Sequence, residues 1–474
     1  MALAYLTQTT QNRDATVPLI AGRDALLRVY PVADVVNYFD SEVRATFHHD
    51  GQVVHSVTMV VDGQRGIGTE VDESRLDRSH NALVPGSVLV PGLELVVELD
   101  PGGKLPLGDG SRRRMPESGT LALDVRELPV MKLTIVPVKI TGQSDSAVVA
   151  AAESLTYDSP VLKEFRTLMP VGEVDFSVRE TLTVDPGDWG ARALEILEGV
   201  RQADGADGYY LGICDCRGGA AALGEWVSRS ELRGTVMAHE IGHNLSLLHA
   251  PCGSPAGFVD DEYPYPGGRT GTWGYDVEST ELRAPRLPDL MSYCEPPWLG
   301  DYGYVKALEH RLRVEGAAAD RASSVDGRTT VLLLWGRAGP DEVALAPAAI
   351  VNAVPSLPDA GPYRITGRTR GDQTLFSLEF APMVEAESGS GHFVITLPLD
   401  PAWAGSLESV VLSGPGGADR LDATTHRPLA IVTDRSTGRI LRILRDFEGL
   451  PEVARDERIT VSYGIPGPAS GGHW

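Results

Sequence analysis

Residues 237–250 read MAHEIGHNLSLLHA, in which His239, Glu240 and His243 form a His-Glu-x-x-His pattern and His249 follows six residues later. Residues four apart on a helix share a face, so His239 and His243 can present nitrogens to one ion. Glu240 lies off that axis but beside it, where its carboxylate can take a proton from water and return it. Zinc held in this way lowers the pKa of water toward 7 and polarises a carbonyl, which is what peptide hydrolysis needs. These residue types at this spacing predict a metal-assisted hydrolase with Glu240 as base and then acid. His249 would fall on another face if the helix ran on past His243. It can join the other two only where the helix stops and the chain turns back.

HEIGHNLSLLH resembles the His-Glu-x-x-His-x-x-Gly-x-x-His signature of the metzincin zinc peptidases, whose chain bends at the glycine. Here Ser246 holds that position. A left-handed serine costs roughly 1–2 kcal/mol, which a packed and metal-clamped loop absorbs. Asp289-Leu290-Met291-Ser292-Tyr293-Cys294 is similar to the methionine turn of the same peptidases. The resemblance implies a mixed sheet followed by the motif helix, one catalytic zinc on His239, His243 and His249, and Glu240 as the catalytic carboxylate. It also implies that Met291 packs under the histidines and that Tyr293 binds metal or the oxyanion. An edge strand near Gly219–Val227 would pair with an extended substrate. The loop with Pro251-Cys252-Gly253, Tyr263-Pro264-Tyr265-Pro266 and Trp273-Gly274-Tyr275-Asp276 resembles that of multidomain bacterial metalloproteases, some of them secreted and cutting glycoproteins, which implies a secreted or extracellular protein acting on protein or glycoprotein.

Rival third ligands remain. Gly271-Thr272-x-x-Tyr275-Asp276 is similar to the segment that supplies an aspartate in the aspzincins. Glu262 would be the gluzincin choice, but that family wants its glutamate on a helix, and Tyr263-Pro264-Tyr265-Pro266 forbids one. Asp260-Asp261-Glu262 offers either hard oxygens for calcium or a solvated acidic loop. The competing class is a non-catalytic glycan- or protein-binding module with a structural or vestigial zinc site. Glu240 weighs against it, because a structural zinc has no use for a base.

The scaffold must come from a chain of 474 residues, enough for about two to four domains. With 52 Gly and 33 Pro, turns are frequent, so the chain outside the helices is expected to be largely β. From Ala4 to about Val125, the runs Ala25–Tyr30, Val43–Phe47, Val53–Val61 and Leu93–Leu99, with turns at Asp50-Gly51 and Asp62-Gly63, predict a β-sandwich. From Met131 to Gly316 strands alternate with helices. Lys132–Ile140, Gly172–Val178, Gly208–Ile213 and the weaker Ala220–Val227 read as strands; Ser159–Leu168, Trp189–Ala203 and Tyr304–Val314 read as helices. Ser230 is the expected N-cap of the motif helix. Thr330–Trp335, Leu375–Phe380, His392–Leu397, Ser409–Leu412 and Leu429–Val432 predict a second sandwich, ending in the linker-like GIPGPASGGHW. The expected fold is thus multidomain α+β: a β-sandwich at 1–127, a metzincin-like catalytic domain at 128–325, and a second β-sandwich with a flexible tail at 326–474.

A net charge of −23 repels phosphate, which disfavours nucleic acid and anionic membrane as partners. No apolar run reaches the roughly 18 residues of a membrane span. MALAYLTQTTQNRD has neither a basic n-region nor an apolar h-region, so no signal peptide is expected in it. A monomer is expected. Of the four cysteines, Cys252 and Cys294 flank the two chemically suggestive segments and are the favoured bridge, whereas Cys214 and Cys216 stand too close in sequence for an easy disulfide.

Overall fold

The run KLTIVPVKI is apolar at six of nine positions, and its central residues Ile135–Val138 are all buried, as in a strand covered on both faces. It forms Met131–Ile140, the hub of a sheet to which Val174–Val178, Leu182–Val184 and Tyr209–Ile213 all add in parallel. The structure is a computed structural model that describes residues 3–39, 42–59, 66–105, 108, 110–144, 146–322, 327–425, 427–445, 447 and 449–466. The chain is mixed α+β, with few helices and many sheets. The turn expected at Asp62-Gly63, the junction placed at 325–326 and the tail from 467 lie outside the described residues.

Five helices accompany this hub: α1 (Ser146–Glu153), α2 (Pro160–Leu168), α3 (Pro186–Asp204), α4 (Gly234–Asn244) and α5 (Asp301–Ala322). Leu133 and Ile135 of the hub share one apolar cluster with Leu162 and Phe165 of α2 and Met237 and Ile241 of α4. Val136 and Val138 share a second with Ile196, Leu197 and Val200 of α3. The sheet therefore lies between helices, and α4, which carries the histidines, rests on one face of it.

Two local expectations change. Ala220–Val227 is not one strand but a hairpin turning at Gly224 (φ +73). Its edge strand, Gly219–Ala221, pairs antiparallel with Val227–Ser230, which lies parallel to Tyr209–Ile213. The strand expected at Leu429–Val432 forms, as Leu429–Asp434, but joins the central sheet. It pairs with Ile440–Arg445, which lies parallel to Leu182–Val184. The reason is packing: Leu429, Ile431 and Ile443 bury in the same cluster as Val138 and Val184.

Outside this core the strands are antiparallel. In the N-terminal region, Ala25–Tyr30 and Val43–His49 lie in different sheets whose facing residues, among them Leu27, Val29, Ala45 and Phe47, form one cluster. Asp50 and Gly51 both take positive φ in the hairpin turn expected of them. Residues Thr10–Gln11 leave that region to pair with Trp273–Asp276. In the C-terminal region Leu332, Leu334, Phe393 and Ile395 face Ile365, Phe380, Val410 and Leu412. The alternate residues Leu333 and Trp335 turn instead toward α3. One hairpin of this region, joining Met383–Val384 to Gly391–Pro398, reaches the edge strand Gly219–Ala221.

Candidate metal centre

Helix α4 begins at Gly234 with Arg233 at its N-cap, not at Ser230. Ser230 is drawn into the strand Val227–Ser230, and its hydroxyl donates to Glu231 O at 2.7 Å. The far end of the helix decides the site. Ser246 takes φ +64; its N–H donates to His243 O (2.9 Å) and the Leu247 N–H donates to Gly242 O (3.0 Å). This bond pair closes a helix through a left-handed residue, a place that usually falls to glycine. The chain reverses there and returns His249 to the helix face.

His243 Nε2 stands 3.1 Å from His239 Nε2 and 3.1 Å from His249 Nε2. His239 Nδ1 donates to Leu290 O (2.8 Å) and His243 Nδ1 to Leu247 O (2.7 Å), so both rings turn an unprotonated Nε2 toward the common centre. Burial pushes His239 down to about 4, His243 well below the ordinary histidine value, and His249 down as well. Neutral imidazole is the metal-binding form. Donors about 2.0–2.1 Å from a tetrahedral ion stand about 3.4 Å apart, so this spacing fits zinc.

Beneath the rings, Met291 packs so tightly on α4 that a Cβ at Gly242 would stand 2.6 Å from its Sδ. Asp289 organises that turn: its buried carboxylate accepts from Met291 N (2.9 Å) and Gly300 N (3.0 Å), and burial raises it to about 6. The Cys252–Cys294 disulfide ties the turn to the segment after His249, alongside Ala250 N donating to Met291 O at 2.9 Å. Tyr293, held between them, places its ring 5.1 Å from that of His249 and 6.2 Å from that of His239. Cys214 and Cys216 are also bonded, against expectation. Their Cα atoms are 5.3 Å apart, well within bridging range.

Glu240 is buried and its Oε2 has no hydrogen-bond partner. Space for its carboxylate comes from the edge strand, where a Cβ at Gly219 would lie 2.3 Å from Glu240 Oε1. Asn244 fixes that strand to the helix by donating to Ala222 O and Val227 O, each at 2.9 Å. A residue that the sequence reading missed completes the cluster. Ligand atoms of His239, His243, His249 and Glu387 all lie within 4.8 Å of one another, with Glu387 Oε1 3.5 Å from His243 Nε2. Burial, and then the facing Glu387 carboxylate, push Glu240 far above the usual carboxylate range. Burial raises Glu387 too.

The rival ligands lie elsewhere. Asp276 is engaged by Arg283 at 2.5 Å, Glu262 is exposed, and Asp260 accepts from Lys306 Nζ (2.9 Å) and Tyr302 OH (3.0 Å). Among the described residues, the histidine–Glu387 group is the one cluster suited to a metal.

The sequence pattern of the family described as Peptidase M66, a zinc metallopeptidase family, matches residues 198–296. That span carries the three histidines, Glu240, Met291 and Tyr293 and ends before Glu387. No curated protein matches the chain. With the match and the geometry together, the chain is a metallopeptidase, a hydrolase acting on protein substrates, and its histidine–glutamate cluster points to zinc.

Proposed function

We propose that the chain is a zinc metalloendopeptidase of metzincin type, with His239, His243 and His249 as zinc ligands and Glu240 as general base and then acid. The observation that carries this is the convergence of three neutral Nε2 atoms around His243 beside a buried carboxylate with a free oxygen. Zinc, when bound, supplies a water of lowered pKa and a polarised carbonyl. Glu240 Oε2 takes the proton of the attacking water and returns it to the leaving amine. Tyr293, half-exposed above His249, donates its hydroxyl to the developing oxyanion. An extended peptide pairs with the edge strand Gly219–Ala221. Met291 under the helix and the turn at Ser246 support the metzincin comparison. The β regions at 1–127 and 326–474 are proposed to position protein or glycoprotein substrate. Two disulfides support an extracellular setting, and among the described residues no helix is long and apolar enough to cross a membrane.

Metal analysis of the 474-residue chain should find about one zinc per molecule. Glu240→Gln should keep that zinc and lower cleavage of casein by about 10²–10⁴-fold. A chain that binds no zinc, or cleavage that survives Glu240→Gln, would refute the reading.

A further inference from the structure

The hairpin bearing Glu387 lies where a substrate would. Its strand runs antiparallel to the edge strand: Leu223 N donates to Val384 O (2.8 Å), Ala386 N to Ala221 O (3.0 Å) and Ala221 N to Glu387 Oε2 (3.2 Å). On the opposite side Phe258 N donates to Ala386 O at 3.2 Å, and a Cβ at Gly257 would stand 2.0 Å from that same oxygen. Residues 256–258 belong to the segment that pairs with His249, through Phe258 O and the His249–Val259 bridge. Ala386 is therefore held by backbone bonds from both sides and is only 1% exposed. This is how an extended peptide is gripped in a cleft.

The hairpin is also anchored from behind. His392, on its returning strand, lies between Glu195 of α3 (Nδ1 to Oε1, 3.0 Å) and Glu385 (Nε2 to Oε2, 3.5 Å). At the tip, Gly389 N donates to Glu385 O and Glu385 N to Ser390 O, each at 2.9 Å. A hairpin that merely covered the edge strand would have no need of a carboxylate buried at the histidines. Glu387 Oε1 is buried there without a hydrogen-bond donor.

We propose that the Val384–Glu387 strand is a built-in occupant of the substrate cleft and that Glu387 supplies a fourth protein ligand to the metal. The inference rests on the zinc reading above. It makes the chain, as folded here, a closed form that must release this hairpin before substrate can enter. The occluding element comes from the C-terminal side of the catalytic segment and mimics both the backbone pairing of a peptide and the carboxylate of a cleaved product.

The test uses the 474-residue chain as wild type, Glu387→Gln and Glu387→Ala. Zinc content, thermal unfolding, casein cleavage and, after exchange to cobalt(II), visible absorption titrated with acetohydroxamate are followed. If the closed form exceeds about nine-tenths of the population, wild-type affinity for acetohydroxamate is masked about tenfold or more. Both variants should then keep one zinc, bind acetohydroxamate about tenfold more tightly, show an altered cobalt spectrum before any ligand is added, and cleave casein faster. Zinc-loaded variants with wild-type spectrum and affinity would overturn the proposal while leaving the zinc reading standing. So would variants that bind acetohydroxamate as the wild type does and lose cleavage. A wild type without zinc would overturn both.

Discussion

Replacing Ser246 by glycine restores the residue that usually occupies its place, yet the structure predicts a loss of stability. Two opposed effects meet there. At φ +64 a serine is strained by roughly 1–2 kcal/mol relative to glycine. Its Oγ, however, lies 3.0 Å from His310 Nδ1 on α5, and His310 is only 5% exposed. Burial pushes His310 down to about 4, so at neutral pH this is a bond between uncharged partners. Deleting the hydroxyl leaves a buried ring nitrogen unpaired, at a cost of about 1–3 kcal/mol. Ser246→Ala keeps the strain and loses the bond, so it should destabilise by about 1–3 kcal/mol. Ser246→Gly recovers the strain of roughly 1–2 kcal/mol less about 0.5–1 kcal/mol of added backbone entropy, about 1 kcal/mol net, and should lie between the two. Denaturant unfolding of the zinc-loaded chain at pH 7 reads the order Ser, Gly, Ala from most to least stable. A cycle with His310→Ala should show a coupling of about 1 kcal/mol that vanishes with either partner gone. If Ser246→Gly proves more stable than wild type and the coupling is nil, the strain is uncompensated and the account of this turn fails.

Two further outcomes follow from the same packing. Gly219→Ala would place a Cβ 2.3 Å from Glu240 Oε1 and 2.5 Å from the Arg229 carbonyl, and the backbone atom cannot yield. The displaced Glu240 should lower kcat by about tenfold or more, with zinc retained and stability reduced by about 1–3 kcal/mol; an unimpaired kcat would show that the carboxylate needs no such space. His392, charged between Glu195 and Glu385, is raised from its ordinary 6.5 to about 9. The charged form is the stabilising one, so the gain, on the order of 3 kcal/mol, is complete below about pH 6.5 and lost as pH rises through about 9. Unfolding free energies of wild type and His392→Gln should therefore converge across that window, and a constant gap would refute the charge.

How much of this was legible in the sequence follows from how local each determinant is. His239, Glu240 and His243 announce themselves because one helical turn fixes their relation, and Lys132–Ile140 reads as a strand because its determinants are equally local. His249 needed a helix end, which the resemblance implied although Ser246 stands where glycine would have signalled it; the positive φ is sustained here by a hydroxyl bond to a residue on α5. The hairpin at Gly224 hid likewise, because AALGEWV carries no alternation strong enough to divide it into two strands. The placement of Leu429–Asp434 in the central sheet depended on which apolar surface remained uncovered, and that is a property of the assembled core. Glu387 is the extreme case. Its surroundings, VEAESGSG, read as an exposed acidic turn, and the residue gains chemical meaning only when the hairpin meets the edge strand. The general lesson concerns charge: a carboxylate is costly to bury without a donor or a cation. Glu240 Oε2 and Glu387 Oε1 share that condition beside the histidines, while Glu387 Oε2 accepts from Ala221 N. The fold has placed two such groups beside three neutral imidazoles, and a divalent cation at their centre would satisfy them together.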